Sequence, residues 1–133
     1  MHCRAGFIGR ATLPVDHWVG LRPAPVSGAG TKGRSGRATT RGIPLLPHDA
    51  RVWLAAEVAD SPDSSIRVGF VGDSVLSLAN SKPIVAASGS AIQCEWNVGA
   101  DVAARAWAYL RGRAVQLEVE LRGNATVFVY SIG

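Results

Sequence analysis

Cysteine is nearly absent from this chain, and its two copies, Cys3 and Cys94, are too few and too far apart for a disulfide framework or a zinc cluster. Histidine is scarce as well. His2, His17 and His48 lack the close i, i+2 or i, i+4 grouping of a metal site, so neither a metal nor a cofactor is expected. His17 and His48 each adjoin an aspartate, Asp16 and Asp49, but neighbours in sequence do not orient one another as a catalytic triad does, and no G-x-S-x-G elbow is present. No apolar run is long enough to cross a bilayer, and the opening MHCRAGFIGRATL lacks the apolar centre of a signal peptide. These absences predict a soluble, cytoplasmic, non-enzymatic chain with no membrane partner.

Charge is also sparse. Charged residues make up 18% of the 133 residues against 47% hydrophobic, a globular composition with enough length for one domain and a core that needs no disulfides. The net charge of +4 comes largely from the first 51 residues, where Arg4, Arg10, Arg22, Lys32, Arg34, Arg37, Arg41 and Arg51 face only Asp16 and Asp49. A basic segment can neutralise phosphate. Here, however, the basic residues of GTKGRSGRATTRG sit among Gly, Ser and Thr with no aromatic to stack a base, so nucleic acid is not an expected partner. Residues 24–36, rich in Gly and Ser, read instead as a long flexible loop.

What the chain does have is alternation. In AVQLEVELR, Val115, Leu117, Val119 and Leu121 alternate with Gln116, Glu118, Glu120 and Arg122, the period-two mark of a strand with one buried and one wet face. ATVFVYSI follows across a two-residue Gly123-Asn124 corner, and Gly-Asn tolerates the positive φ of tight turns, so a closing β-hairpin is predicted. Val52, Leu54, Ala56 and Val58 face one way and Trp53, Ala55 and Glu57 the other; after the turn cluster DSPDSS, Ile66, Val68 and Phe70 share a side. AIQCEWNV reads as another strand with Ile92, Cys94, Trp96 and Val98 on one face, which makes Cys94 a small buried hydrophobe and leaves a Cys3–Cys94 bridge without support.

Further strands are expected at residues 5–13 and 18–23, and in RATTRGIPLL, where Pro44 and Pro47 predict an irregular end or an edge position. The only helix expected covers residues 101–110, DVAARAWAYL, with Asp101 as its cap. Short strands at regular spacing with Gly/Pro turns define the predicted fold class: all-β, a single antiparallel sandwich over residues 1–133, with nine or ten strands and at most one short helix.

The terminal segment LRGRAVQLEVELRGNATVFVYSI resembles the end of a lectin-like, concanavalin-like β-sandwich of jelly-roll type found at the C-terminus of bacterial glycosidase-related β-propeller proteins. DHWVGLRP, GRATTRGIPL, ARVWLAAEVADSPDSSIRVGFVG and SVLSLANSKPIVAASGSAIQCEWNVGADV are similar to earlier strands of that family in the same order, the third of them to its central hairpin. The chain departs from the family pattern at Ala55, where an asparagine is usual, and at Gly123-Asn124, where a charged corner is usual. In such relatives the propeller carries the acidic residues that cleave glycosides. The resemblance therefore implies an accessory module, and hydrolase activity is not carried over with it.

Glycoside hydrolysis needs two carboxylates held across a cleft. Glu118 and Glu120 point the same way along one strand, about 7 Å apart, but outward glutamates are routine on solvated sheet faces. Tryptophan carries the sharper reading, because sugars stack their apolar faces on aromatic rings. Alternation places Trp53 outward, Trp18 stands beside His17 at a strand start, and Trp107 falls in the helix; Trp96 shares the core face of Cys94. Trp53, Trp18, His17 and Trp107 are thus the candidate ligand-binding residues, set against the plainer reading that all four tryptophans fill the sandwich. The expected function is a non-catalytic module that binds carbohydrate or accompanies a glycosidase. The alternative is a structural domain that dimerises, or packs on a separate partner, through an outer sheet face.

Overall fold

A computed structural model describes residues 35–133. The strands expected at residues 5–13 and 18–23, most of the loop at 24–36, Cys3, His17 and Trp18 all lie outside the described residues. Eight strands and one helix follow in order: β1 (Ser35–Thr39), β2 (Ile43–Pro44), β3 (Val52–Val58), β4 (Ser65–Phe70), β5 (Ser88–Gln93), α1 (Ala100–Leu110), β6 (Ala114–Val115), β7 (Leu117–Arg122) and β8 (Ala125–Ile132). They form two three-stranded antiparallel sheets, β1-β7-β4 and β5-β3-β8, and a small β2-β6 pair. The all-β sandwich predicted from alternation is the observed class. Among the described residues β1 lies at the edge of its sheet, the position the prolines of RATTRGIPLL allow, and the expected strand is interrupted at residues 40–42, ahead of Pro44 and Pro47.

Alternation also chose the buried faces correctly. Val52, Leu54, Ala56 and Val58 of β3 meet Ala125, Val127, Tyr130 and Ile132 of β8 on one inner face, while Ile66, Val68 and Phe70 of β4 meet Leu117, Val119 and Leu121 of β7 on the other. Two sheets that each expose one apolar face to the other bury it by stacking, which removes both faces from water at once.

The predicted closing hairpin does not form. β7 and β8 belong to different sheets, and so do β3 and β4, the pair expected to make the central hairpin. β3 pairs instead with β8, and β4 with β7, so a long antiparallel pair is folded over on itself. Its two bends lie side by side: the Asn124 N–H donates to Ser64 Oγ at 2.9 Å and the Ala59 N–H donates to the Asn124 carbonyl at 3.0 Å. The Gly123-Asn124 step is a corner between layers rather than a turn within one. The turn chemistry is the same in both cases, because Gly123 has φ +64 and only the direction of the following strand differs.

Helix α1 confirms the residues expected to be helical but not the cap. The N-cap is Gly99, which makes no side-chain cap hydrogen bond, and Asp101 lies within the first turn, where its negative charge favours the positive end of the helix dipole. Ala106, Trp107 and Leu110 are its buried stripe. No helix among the described residues is long and apolar enough to cross a membrane.

The strand predicted over AIQCEWNV is also shifted. β5 ends at Gln93, and beyond it only an isolated bridge from Ser81 to Trp96 continues the pairing. Cys94 is nevertheless buried, as a free thiol, and its backbone N–H donates to the Val52 carbonyl at 2.8 Å. Burial pushes that thiol from 9.0 up to about 12 by disfavouring the thiolate. The unfolded chain therefore gives up this proton first. The thiol's contribution to stability is present below pH 9 and lost as pH rises towards 12. Urea unfolding at pH 8 and pH 10 checks this: Cys94→Ala is expected to fall less in stability between the two pH values than the parent chain, even though it starts lower at pH 8. The Tyr130 phenol is also driven upward by desolvation, against the lowering effect of its hydrogen bond with Thr40, and it steepens the same alkaline loss in both proteins.

Candidate functional site

The outer face of β5-β3-β8 is where the sequence places its best-supported candidate. Trp53 sits on that face of β3, half-buried, opposite Gln93 of β5 and Ser131 of β8. Its ring is partly covered by the chain end: a Cβ added to Gly133 would stand 2.9 Å from Trp53 Cζ3, so a side chain there would have to displace the indole. Two residues along the same face lies Ala55, and two further the exposed Glu57.

Both strands flanking Ala55 are bulged at that point. On the β8 side Ala55 pairs with Val129 and Ala56 with Val127, leaving Phe128 as the extra residue. On the β5 side Leu54 pairs with Ile92 and Ala56 with Gly89, so Ser90 and Ala91 together oppose Ala55. A bulge bends its strand and re-aims the inserted side chain. Two bulges facing one alanine open a trough of about 390 Å³, whose lining includes Ala55, Glu57, Ser88, Ser90 and Phe128. A second hollow of about 280 Å³ continues from it past Glu57 and Ser88 to Asn124 and Thr126. The small side chain at Ala55 forms part of the trough's lining, and the resemblance had marked that position as one where a larger residue is usual.

This arrangement brings part of Phe128, hydroxyls at Ser88 and Ser90, and a carboxylate at Glu57 to one open depression, with Trp53 further along the face. Sequence reasoning named Trp53 but missed Phe128, Ser88 and Ser90. The alternation of ATVFVYSI gives no warning that its register slips at Phe128.

Trp107 requires correction as a ligand-binding candidate. It is 5% exposed, and its ring meets Phe70 edge-on with centroids 5.3 Å apart and Trp96 edge-on at 6.4 Å, while Phe70 and Trp96 stack at 6.2 Å. A ring enclosed in this way has no face left to present to a sugar. Trp96 packs against the same cluster, as expected, and its buried Nε1 has no hydrogen-bond partner. His17 and Trp18 lie outside the described residues.

The outer face of the other sheet is charged. Arg37, Glu120 and Arg67 stand in register across β1, β7 and β4, with Arg122 two residues beyond Glu120. Glu118 and Glu120 do share this face, but Glu120 is held by two guanidiniums, Arg37 Nη2 at 3.2 Å from one carboxylate oxygen and Arg122 Nε at 3.2 Å from the other. His48 is exposed, whereas the neighbouring Asp49 is fully buried, its carboxylate accepting the Leu46 N–H at 2.7 Å and its carbonyl accepting Arg111 Nε at 2.8 Å. Among the described residues no three His, Cys, Asp or Glu side chains are grouped to hold a metal ion.

No protein-family model matches the chain, and neither a curated protein nor a solved structure is similar to it.

Proposed function

We propose that this protein is a non-catalytic carbohydrate-binding module whose ligand lies in the trough across β5, β3 and β8. The observation that carries this reading is the pair of bulges at Ala55, which turns an otherwise flat sheet face into a concave one lined by Phe128, Ser88, Ser90 and Glu57. An aromatic surface beside hydroxyl and carboxylate acceptors suits a sugar, whose apolar ring face and hydroxyl edge need different partners. Trp53 extends the same surface for a second sugar unit. The ordered resemblance of five segments to a lectin-like sandwich supports an accessory role beside a glycosidase. The lining of this open depression is largely apolar, which also suits the alternative, a structural domain that packs on a partner through this sheet face.

A glycan-array screen of the wild type, Trp53→Ala and Phe128→Ala tests the reading. Neutral oligosaccharides are expected to be retained by the wild type and to bind about tenfold more weakly when either ring is removed, the value of one stacking contact. Absence of binding to every glycan overturns it. So does equal retention by all three proteins.

A further inference from the structure

The charged groove on the opposite sheet is a separate site with a different chemistry. It encloses about 520 Å³, within the range of small-molecule pockets, and its walls combine Arg67 and Arg122 with the hydroxyls of Ser35 and Ser65 and the apolar surfaces of Pro83 and Val85. Strand register brings three guanidiniums, from Arg37, Arg67 and Arg122, around the single carboxylate of Glu120. That carboxylate is already divided: one oxygen takes Arg37 and the other takes Arg122, each at 3.2 Å, and the glutamate side chain is only 13% exposed.

Arg67, directly opposite Glu120 on β4, is left over. Its Nε is buried and has no hydrogen-bond partner. That buried Nε is beyond the reach of a ligand in the groove, but Arg67 lines the groove with no ion pair among the described residues, and the terminal Nη groups of a guanidinium can give charge-assisted hydrogen bonds to a carboxylate. The unmet demand is therefore for an acceptor that the described residues do not supply.

We infer that this groove binds the carboxylate of a sugar acid, with Arg67 as its principal anchor. The remaining groups select among anions. Glu120 and the exposed Asp63 at the rim bring negative charge into the same groove, so the surplus is small and favours a singly charged carboxylate over a phosphate dianion or a polyanion. The hydroxyls of Ser35 and Ser65, with Pro83 and Val85 between them, match a hydroxylated ring rather than a bare inorganic ion. This site is independent of the trough, which lies on the other sheet.

Isothermal titration with glucuronate and galacturonate, and with glucose and inorganic phosphate for comparison, tests the assignment. The uronates are expected to bind, glucose and phosphate to bind much more weakly or not at all, and Arg67→Gln to weaken uronate binding about tenfold or more. Arg67→Lys keeps the charge and the aliphatic stem but lacks the planar fork, and is expected to recover less than half of the lost binding free energy. Thermal melts of both variants establish that they are folded before titration. Uronate binding that is absent, matched by glucose, exceeded by phosphate, or unchanged in Arg67→Gln overturns the site. Because Trp53→Ala leaves this groove intact, it is expected to bind uronate as the wild type does, whatever the glycan array shows for the trough.

Discussion

Trp107→Ala is expected to destabilise the fold by about 3–5 kcal/mol, the cost of emptying a large buried aromatic site whose neighbours cannot collapse into it. Trp107 is the point at which α1 joins the sandwich. Its ring sits edge-on to Phe70 of β4 and to Trp96, and Phe70 and Trp96 stack on each other, so removing the indole takes an edge contact from each of the other two. Edge-to-face pairs add about 0.5–1.5 kcal/mol each beyond the area they bury, so the loss exceeds a simple transfer estimate. Chemical denaturation with tryptophan fluorescence measures the change. The fraction that remains folded is expected to bind glycans as the wild type does, because Trp107 touches neither the trough nor the arginine groove; a Trp107→Ala protein of wild-type stability that no longer binds would return the residue to the ligand site.

That reassignment was within reach of the sequence. The helix was predicted from its alanine content and Asp101, but Ala103, Ala106, Trp107 and Leu110 also recur at the i, i+3, i+4, i+7 spacing of a helix that buries one stripe, and that spacing states which way Trp107 points. Strand faces were equally legible, since period-two alternation states directly whether a side chain faces the core or solvent. Strand partners were not. Alternation in LEVELR and TVFVYSI is satisfied whether β8 lies beside β7 or across the core from it, because either arrangement buries the same residues. The bulges at Ala55 are invisible for a related reason: an inserted residue such as Phe128 is a defect of register between two strands, and neither strand alone records it. Arg67 was readable as an outward residue of SIRVGF. Its lack of a carboxylate was not, because that depends on Arg37 and Arg122 reaching Glu120 from a different strand and from further along the same one.

Gly123→Ala is expected to cost about 2–4 kcal/mol, and its comparison with Gly72→Ala separates two physical causes. Gly72 and Gly123 both adopt positive φ, at +81 and +64, so an alanine at either position carries about 1–2 kcal/mol of backbone strain. At Gly72 a Cβ would meet nothing within 4 Å, and the strain is the whole effect. At Gly123 it would stand 2.6 Å from the Asp63 carbonyl oxygen and 2.8 Å from Ser64 Oγ, distances that require the other bend of the folded-over pair to move away. That movement breaks the 2.9 Å hydrogen bond from the Asn124 N–H to Ser64 Oγ, and Ser64 is fully buried, so its hydroxyl loses a partner away from water. Had β7 and β8 formed a simple hairpin, Gly123 would have faced solvent and the two substitutions would cost the same. Urea midpoints of the two variants decide it: a difference of about 1 kcal/mol or more in favour of Gly72→Ala supports the corner between sheets, and equal midpoints contradict it. The corner also touches both proposed sites, because Asp63 lines the arginine groove and Asn124 borders the hollow that continues from the trough, so a displacement at Gly123 is expected to weaken ligands on both faces together.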